Sequence, residues 1–255
     1  MHFRRRDDRI RRRLRGEQPL SRLLPNMITI AGMCCGLSSI RFAMTERWEM
    51  AVGFILAAAI IDGMDGRVAR MLGATSHFGA QLDSLSDFLC FGVAPALVVY
   101  LWALHDMQGI GWAAVLFFSV CTALRLARFN TGLFEEKEAE WKKQFFIGVP
   151  SPAGGILCLL PLIASLQLQT TLPDWFLVLH LVVVGTLMAS RIPTFSGKKI
   201  RIRHELIPPF MIAGSLLLAL FIIEPWWCLI LIGTAYLATI PLSIKAWKKY
   251  EQTNV

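Results

Sequence analysis

Long apolar stretches alternate with short polar ones along the whole of this 255-residue chain. A helix needs about 20 apolar residues to cross the hydrocarbon core of a bilayer, and most of the stretches approach that length. The pattern predicts about eight transmembrane helices and an all-α, polytopic integral membrane protein. The predicted helices lie near residues 24–43, 48–70, 83–104, 110–129, 150–167, 175–191, 206–223 and 226–244.

The composition agrees with this layout, since 55% of the residues are hydrophobic and 17% are charged. Soluble domains carry roughly 25% charged residues. A soluble enzyme, a disordered tail and a disulfide-stapled secreted domain are therefore excluded. The six cysteines lie inside apolar runs and form no CxxC pair, so we expect them to be buried and reduced.

The positive charges indicate how the chain is oriented in the membrane. The net charge is +8. If the N-terminus is cytoplasmic, every Lys and Arg except Arg41 and Arg47 lies on the cytoplasmic side, as the positive-inside rule requires. We expect a basic cytoplasmic segment at 1–23, a transmembrane domain at 24–244 that carries any catalytic site, and a cytoplasmic tail at 245–255. The site is then expected to face the cytoplasm from the inner or plasma membrane.

The arginine-rich start of the chain has three interpretations. Nine arginines precede the first apolar run, and such a run is found in nucleic-acid-binding arms and at the start of signal peptides. Here it directly precedes a membrane span, and we see no convincing small-residue cleavage site. We therefore predict a retained first helix behind a lipid-facing basic segment, with membrane lipid rather than nucleic acid as its partner.

Four aspartates lie within or beside the second and third apolar stretches. Each costs roughly 2.5–3.5 kcal/mol inside a membrane unless it faces an interior or a partner. Asp62 and Asp65 are three residues apart, and Asp83 and Asp87 are four apart, so each pair shares a helix face. A short polar turn folds the third helix back beside the second, and the four carboxylates can then converge at the cytoplasmic mouth.

Converging carboxylates cannot all ionise unaided, because like charges disfavour one another. A divalent cation removes that conflict. Oxygen ligands without histidine or cysteine favour magnesium, manganese or calcium over zinc, and bridging carboxylates can hold two such ions. His77 lies between the two pairs, and we expect it to be a loop residue. From these residues alone, a cation or proton-coupled transporter remains an alternative to an enzyme.

Small residues accompany the aspartates. The helix surface carries no bulky side chain at four positions, Gly63, Gly66, Ala69 and Gly79. A group such as a diphosphate can therefore approach the backbone there. Arg70 lies one turn beyond Gly66 and can pair with phosphate oxygens.

These positions together resemble the signature of the CDP-alcohol phosphotransferase family. The matching pattern is Asp62-x-x-Asp65-Gly66-x-x-Ala69-Arg70, eight further residues, and Gly79-x-x-x-Asp83-x-x-x-Asp87. Leu24–Thr29 looks like the start of that family's first helix. Within the family, residues 83–87 with 91–96, 125–130 and 148–153 are similar to the bacterial membrane-type phosphatidylserine synthases.

The resemblance implies a fold and a reaction. The expected fold has a core of about six helices and two more, and the expected assembly is a homodimer. The hydroxyl of L-serine attacks CDP-diacylglycerol in line, without a covalent enzyme intermediate, giving phosphatidylserine and CMP. The alternatives are another acceptor (glycerol 3-phosphate, inositol phosphate or choline) or an archaeal-type lipid donor.

The resemblance also assigns residues to roles. Asp62, Asp65, Asp83 and Asp87 hold the divalent cations, Mg²⁺ or Mn²⁺, which we expect to number two per site, and Asp87 also acts as the general base. The nucleotide and donor site is expected to contain Asn26, Thr29, Gly66, Ala69, Arg70 and Gly79.

The acceptor site is less well marked in the sequence. The carboxylate of serine needs a cation, and Arg125 and Arg128 lie three residues apart at the cytoplasmic end of the fourth predicted helix. These two arginines have two interpretations. The arginines anchor the helix by the positive-inside rule, or they contact the acceptor or a phosphate.

Overall fold

The computed structural model describes residues 23–73, 76–132, 145–195 and 207–254. The predicted basic segment at the N-terminus lies outside the described residues, apart from Leu23. So do the basic loop positions within 133–144 and 196–206.

Each helix that the apolar pattern predicts has a counterpart in the structure, and the all-α class is confirmed apart from two short strands. The helices are α1 Leu24–Ala43, α2 Trp48–Met71, α3 His77–Met107, α4 Gln108–Gly132, α5 Ser151–Leu168, α6 Asp174–Ala189, α7 Ile207–Ile223 and α8 Pro225–Asn254. The strands are β1 Phe145–Ile147 and β2 Pro193–Phe195.

Among the described residues, four helical stretches are long and apolar enough to cross a membrane. They are His77–Met107, Gly109–Thr131, Ser151–Leu168 and Pro225–Trp247. Two shorter apolar helices, Asp174–Ala189 and Pro208–Ile223, accompany them. The structure is thus that of an integral membrane protein with several apolar helices, while the number of eight spans stays a prediction.

The third helix begins earlier than expected, at His77 rather than near residue 83. The prediction that His77 is a loop residue is therefore wrong. The hydroxyl of Ser76 accepts a hydrogen bond of 3.0 Å from the backbone N–H of Gly79, which caps the first turn of α3. This cap extends the helix into a stretch whose polar residues suggested a turn.

Irregular helical turns interrupt α3 directly after Asp87. Phe88–Val93 and Tyr100–Leu104 are π-helical, whereas His77–Asp87 and Ala94–Val99 are regular α-helix. A π-helical turn changes the direction in which the following side chains point, and such turns occur frequently at functional sites. In this helix the change separates the aspartate-bearing turns from the buried part that follows.

Close backbone contacts fix α1, α3 and α5 to one another. A β-carbon on Gly36 of α1 would lie 3.2 Å from the Cα of Cys90, and one on Gly155 of α5 would lie 3.0 Å from the Cα of Phe91. The thiol of Cys90 donates to the carbonyl of Gly32 at 3.3 Å. The helix that carries Asp83 and Asp87 is therefore held between α1 and α5.

The two strands form a small antiparallel sheet that the apolar pattern did not indicate. Phe145 pairs with Phe195 and Ile147 with Pro193. The next residue, Gly148, has φ +76°, a backbone conformation that favours glycine, and its N–H donates to the carbonyl of Ile192 at 2.8 Å. The pairing joins the segment after α4 to the segment after α6 and leads directly into the start of α5.

Candidate active site

Three of the four aspartates meet at one point between α2 and α3. Each of Asp62, Asp65 and Asp83 offers a carboxylate oxygen, and these three oxygens all lie within 4.8 Å of one another. Asp65 is buried, with 5% of its surface exposed. The predicted convergence of the two helix faces is therefore present in the structure.

The fourth aspartate, Asp87, lies one turn further along α3, beside this cluster. Its carboxylate is close enough to that of Asp62 for a hydrogen bond if one of the two carries a proton, and it also interacts electrostatically with Asp83. Its Oδ1 atom is buried and has no hydrogen-bond partner within the protein. Asp87 thus flanks the cluster and presents one unused carboxylate oxygen.

This set of side chains fits a divalent cation. The donor atoms are carboxylate oxygens, which magnesium, manganese and calcium prefer. Carboxylates packed this closely repel one another unless a proton or a cation lies between them. The buried, unpartnered oxygen of Asp87 adds a further candidate ligand atom.

A cavity of about 180 Å³ opens next to the cluster. All six residues that the family resemblance assigns to the nucleotide and donor lie on its wall, together with two of the aspartates. The full lining is Pro25, Asn26, Thr29, Asp65, Gly66, Ala69, Arg70, Ser76, Gly79, Ala80 and Asp83. Nothing in the sequence marks Pro25, Ser76 and Ala80 as site residues, because small side chains of these types are common at every kind of position.

The two glycines in the cavity wall, Gly79 and Gly66, have different surroundings. A β-carbon on Gly79 would lie 3.0 Å from Oδ1 of Asn26 and 3.1 Å from the hydroxyl of Ser76. At Gly66 the nearest atom to such a carbon would be Nη1 of Arg70, at 3.6 Å. Gly79 therefore lets α3 approach α1, whereas Gly66 leaves room over the cavity.

A second polar group lies on the far side of Asp87. Nη1 of Arg125 donates a hydrogen bond of 2.5 Å to the hydroxyl of Ser151. Arg125 also interacts electrostatically with Asp87 and with Tyr236. The Arg125 side chain of α4 is therefore bound to α5 and lies within electrostatic range of residues in α3 and α8.

Arg128 has a different environment from Arg125. Its side chain is exposed, and its Nη1 donates to the carbonyl of Ser190, at the end of α6, at 3.2 Å. Of the two arginines that the sequence analysis considered for the acceptor, the structure thus brings Arg125 to Asp87 and ties Arg128 to the end of α6.

A pair of side chains that the sequence does not indicate joins α3 to α4 beside Asp83. The hydroxyl of Ser84 and the side-chain amide of Asn130 exchange hydrogen bonds of 3.1 and 3.0 Å. Both residues lie in stretches that carry the family resemblance, but nothing in the sequence shows that they meet. The pair holds the acidic turns of α3 against the end of α4.

A family model described as CDP-alcohol phosphatidyltransferase matches residues 22–189 of the chain. A protein of Mycobacterium leprae is 38% identical over 224 residues, which cover 87% of this chain and 74% of that protein. A protein of Helicobacter pylori is 36% identical over 182 residues, covering 70% of this chain and 74% of that protein. Both relatives carry the name CDP-diacylglycerol–serine O-phosphatidyltransferase.

Proposed function

The chain belongs to the CDP-alcohol phosphatidyltransferase family of phosphotransferases, and from this we propose that it transfers the phosphatidyl group of CDP-diacylglycerol to the hydroxyl of L-serine. The products are phosphatidylserine and CMP. The names of its relatives support both substrates. The observation that carries the proposal is the meeting of Asp62, Asp65 and Asp83 beside a cavity lined by the small residues of the family signature.

The cavity between α1, α2 and α3 is the proposed site for the nucleotide end of the donor. Gly66 and Ala69 leave its wall open, so that a diphosphate can reach the helix backbone. Arg70 supplies a positive charge for phosphate oxygens. Asn26 and Gly79 meet at the opposite wall, where the amide of Asn26 offers both donor and acceptor atoms.

The aspartates are the proposed ligands of the divalent cation, Mg²⁺ or Mn²⁺, with two ions per site. Asp62, Asp65 and Asp83 face one another, and Asp87 completes the set one turn further along α3. When bound, the cations neutralise the charge of the diphosphate. The buried hydroxyl of Thr29 holds one oxygen of Asp65 in place at 2.8 Å.

Asp87 is the proposed general base for the acceptor. While one carboxylate oxygen of Asp87 holds the cation, the other can take the proton of the serine hydroxyl if that hydroxyl lies within hydrogen-bond reach. The serine oxygen then forms the new bond to phosphorus as the bond between phosphorus and CMP breaks. The displacement is a single step, because no serine, cysteine or histidine nucleophile is required.

The orientation in the membrane follows from the positions of the basic residues. We place both termini and the mouth of the site on the cytoplasmic side, with the two acyl chains of the donor remaining in the lipid. A homodimer is the expected assembly, on the strength of the family resemblance.

The proposed function is tested by CMP release from purified protein in micelles that contain CDP-diacylglycerol. L-Serine, glycerol 3-phosphate, inositol phosphate and choline are offered separately, with Mg²⁺ or Mn²⁺ and with a chelator. We expect chelator-sensitive release with serine alone. Release with another acceptor would retain the phosphotransferase site and overturn the serine assignment, and release with none of them would overturn the proposed function.

A further inference from the structure

Three buried polar atoms without a hydrogen-bond partner belong to neighbouring side chains. In the part of the chain that the structure describes, the unpartnered buried atoms include Oδ1 of Asp87, Nε of Arg125 and the hydroxyl of Tyr236. Arg125 interacts electrostatically with both of the other two residues. Buried polar atoms are nearly always hydrogen-bonded, so the unpartnered Nε of this guanidinium, with two further unpartnered atoms near it, indicates the place of a polar ligand.

We propose that Arg125 and Tyr236 bind the carboxylate of the acceptor amino acid, and that Tyr236 makes the enzyme select an acceptor that has a carboxylate. This inference rests on the proposed function, which supplies serine as the acceptor. It adds a residue from α8, far outside the signature, to the site.

The orientation of the guanidinium favours a carboxylate. Nη1 of Arg125 is occupied by its hydrogen bond of 2.5 Å to the hydroxyl of Ser151. That bond leaves the Nε edge for another partner, and this planar edge matches the two oxygens of a carboxylate. Ser151 is fully buried, so the arginine is held in one orientation before a ligand binds.

The hydroxyl of Tyr236 is the second donor. It lies next to the side chain of Thr194, but the two do not form a hydrogen bond of normal geometry. The hydroxyl of Thr194 instead donates to the carbonyl of Gly148 at 3.0 Å. The Tyr236 O–H is therefore free to donate to an oxygen of a ligand bound at Arg125.

The distance between the hydroxyl and the carboxylate of serine suits a site with Asp87 at one end and Arg125 at the other. Its hydroxyl oxygen is three bonds from the carboxylate carbon, so a carboxylate held at Arg125 places the hydroxyl in the direction of Asp87. Asp87 and Arg125 lie within electrostatic range of each other. The same three side chains thus bind the charged end of the acceptor and receive the proton of its reacting end.

The test compares L-serine with ethanolamine, which lacks only the carboxylate, as acceptors for the wild type and for Tyr236→Phe. We expect Tyr236→Phe to raise the KM for serine about tenfold or more, as the loss of a hydrogen bond to a charged group does. The KM for CDP-diacylglycerol and the activity toward ethanolamine should hardly change. The preference for serine over ethanolamine should therefore fall by the same factor as serine binding.

Tyr100→Phe is the matched control. Tyr100 stacks edge-on against Trp112, with ring centroids 5.4 Å apart, and it takes no part in the proposed site. It should leave both the KM for serine and the preference over ethanolamine at the wild-type values. Arg125→Lys is the second variant, since it keeps the charge and removes the Nε edge, and we expect it to raise the KM for serine as well.

The outcomes separate this inference from the proposed function. No serine-dependent CMP release by the wild type would overturn both. Serine-dependent release by the wild type, with an unchanged KM for serine in Tyr236→Phe, would overturn the inference alone and assign the hydroxyl a purely structural role. A tenfold loss of preference for serine, confined to Tyr236→Phe and Arg125→Lys, would support it.

Discussion

The hydroxyl of Thr29 donates a hydrogen bond of 2.8 Å to Oδ2 of Asp65. Both residues are buried, with Thr29 in α1 and Asp65 in α2. The carbonyl of Thr29 also receives a long contact of 3.5 Å from the hydroxyl of Ser86 in α3. One threonine therefore joins all three helices of the acidic cluster, and it fixes the direction of one of the proposed metal ligands.

Replacing Thr29 by valine should weaken cation binding. The substitution keeps the shape of the side chain and removes the hydrogen bond to Asp65, and the loss of such a supporting partner typically lowers metal affinity by about 10–100-fold. The measurement is the Mg²⁺ concentration that gives half-maximal CMP release. Thr29→Ser retains the hydroxyl and should stay close to the wild type. Equal Mg²⁺ requirements in both variants would show that the hydrogen bond does not support the cation.

Replacing Asp87 by asparagine should nearly abolish turnover. A general base typically contributes about 10²–10⁴-fold to the rate, and the amide cannot take the serine proton. The measurements are kcat for CMP release and, separately, the binding of CDP-diacylglycerol, which should persist at least in part. The control is Asp106→Asn, because the side chain of Asp106 is 85% exposed and lies at the other end of α3. Turnover at the wild-type rate in Asp87→Asn would contradict the role of the base.

A methyl group at Gly79 should impair donor binding. The added carbon would lie 3.0 Å from the amide oxygen of Asn26 and 3.1 Å from the capping hydroxyl of Ser76, so the wall of the cavity must shift. We expect a several-fold rise in the KM for CDP-diacylglycerol with little change in the KM for serine. Gly53→Ala in α2 is the matched control, since a β-carbon at that position would meet nothing within 4 Å. An unchanged donor KM in Gly79→Ala would mean that Asn26 does not contact the nucleotide.

The lengths of the apolar runs were enough to predict the helices, because a helix that crosses a membrane must be apolar over most of its length. The spacing of the aspartates likewise predicted their meeting, since residues three or four apart share a helix face. The start of α3 at His77 was missed because it depends on one hydrogen bond from Gly79 to Ser76. The strands were missed because three residues are too few to show an alternating pattern.

The second half of the site could not be predicted from the sequence. Tyr236 is separated from Arg125 by the three helices α5, α6 and α7, and it resembles any other aromatic residue of an apolar helix. Arg125 and Arg128 carry the same charge at neighbouring positions. Only the three-dimensional structure distinguishes them: Arg125 is bonded to Ser151 at the start of α5, whereas Arg128 is bonded to Ser190 at the end of α6.

The Ser84–Asn130 pair should contribute to stability as a unit. Each side chain is the hydrogen-bond partner of the other, so Ser84→Ala and Asn130→Ala each remove the same interaction. We expect the double variant to be little worse than either single variant, with a coupling energy of about 0.5–1.5 kcal/mol. The measurement is the free energy of unfolding in detergent for all four proteins. Additive effects would show that the two side chains act independently.

Replacing the two arginines of α4 by alanine should have different effects on the KM for serine. Arg125 faces Asp87 and Ser151, so Arg125→Ala removes a charge from the proposed acceptor site and should raise the KM for serine more than that for the donor. Arg128 is exposed and bound to the carbonyl of Ser190 at 3.2 Å. Exposed ion and hydrogen-bond contacts contribute little, so Arg128→Ala should leave the KM for serine close to that of the wild type. The measurement is the KM for serine and for CDP-diacylglycerol in both variants. If Arg128→Ala raised the KM for serine as much as Arg125→Ala does, both arginines would have to reach the acceptor, and the end of α6 would have to move when serine binds.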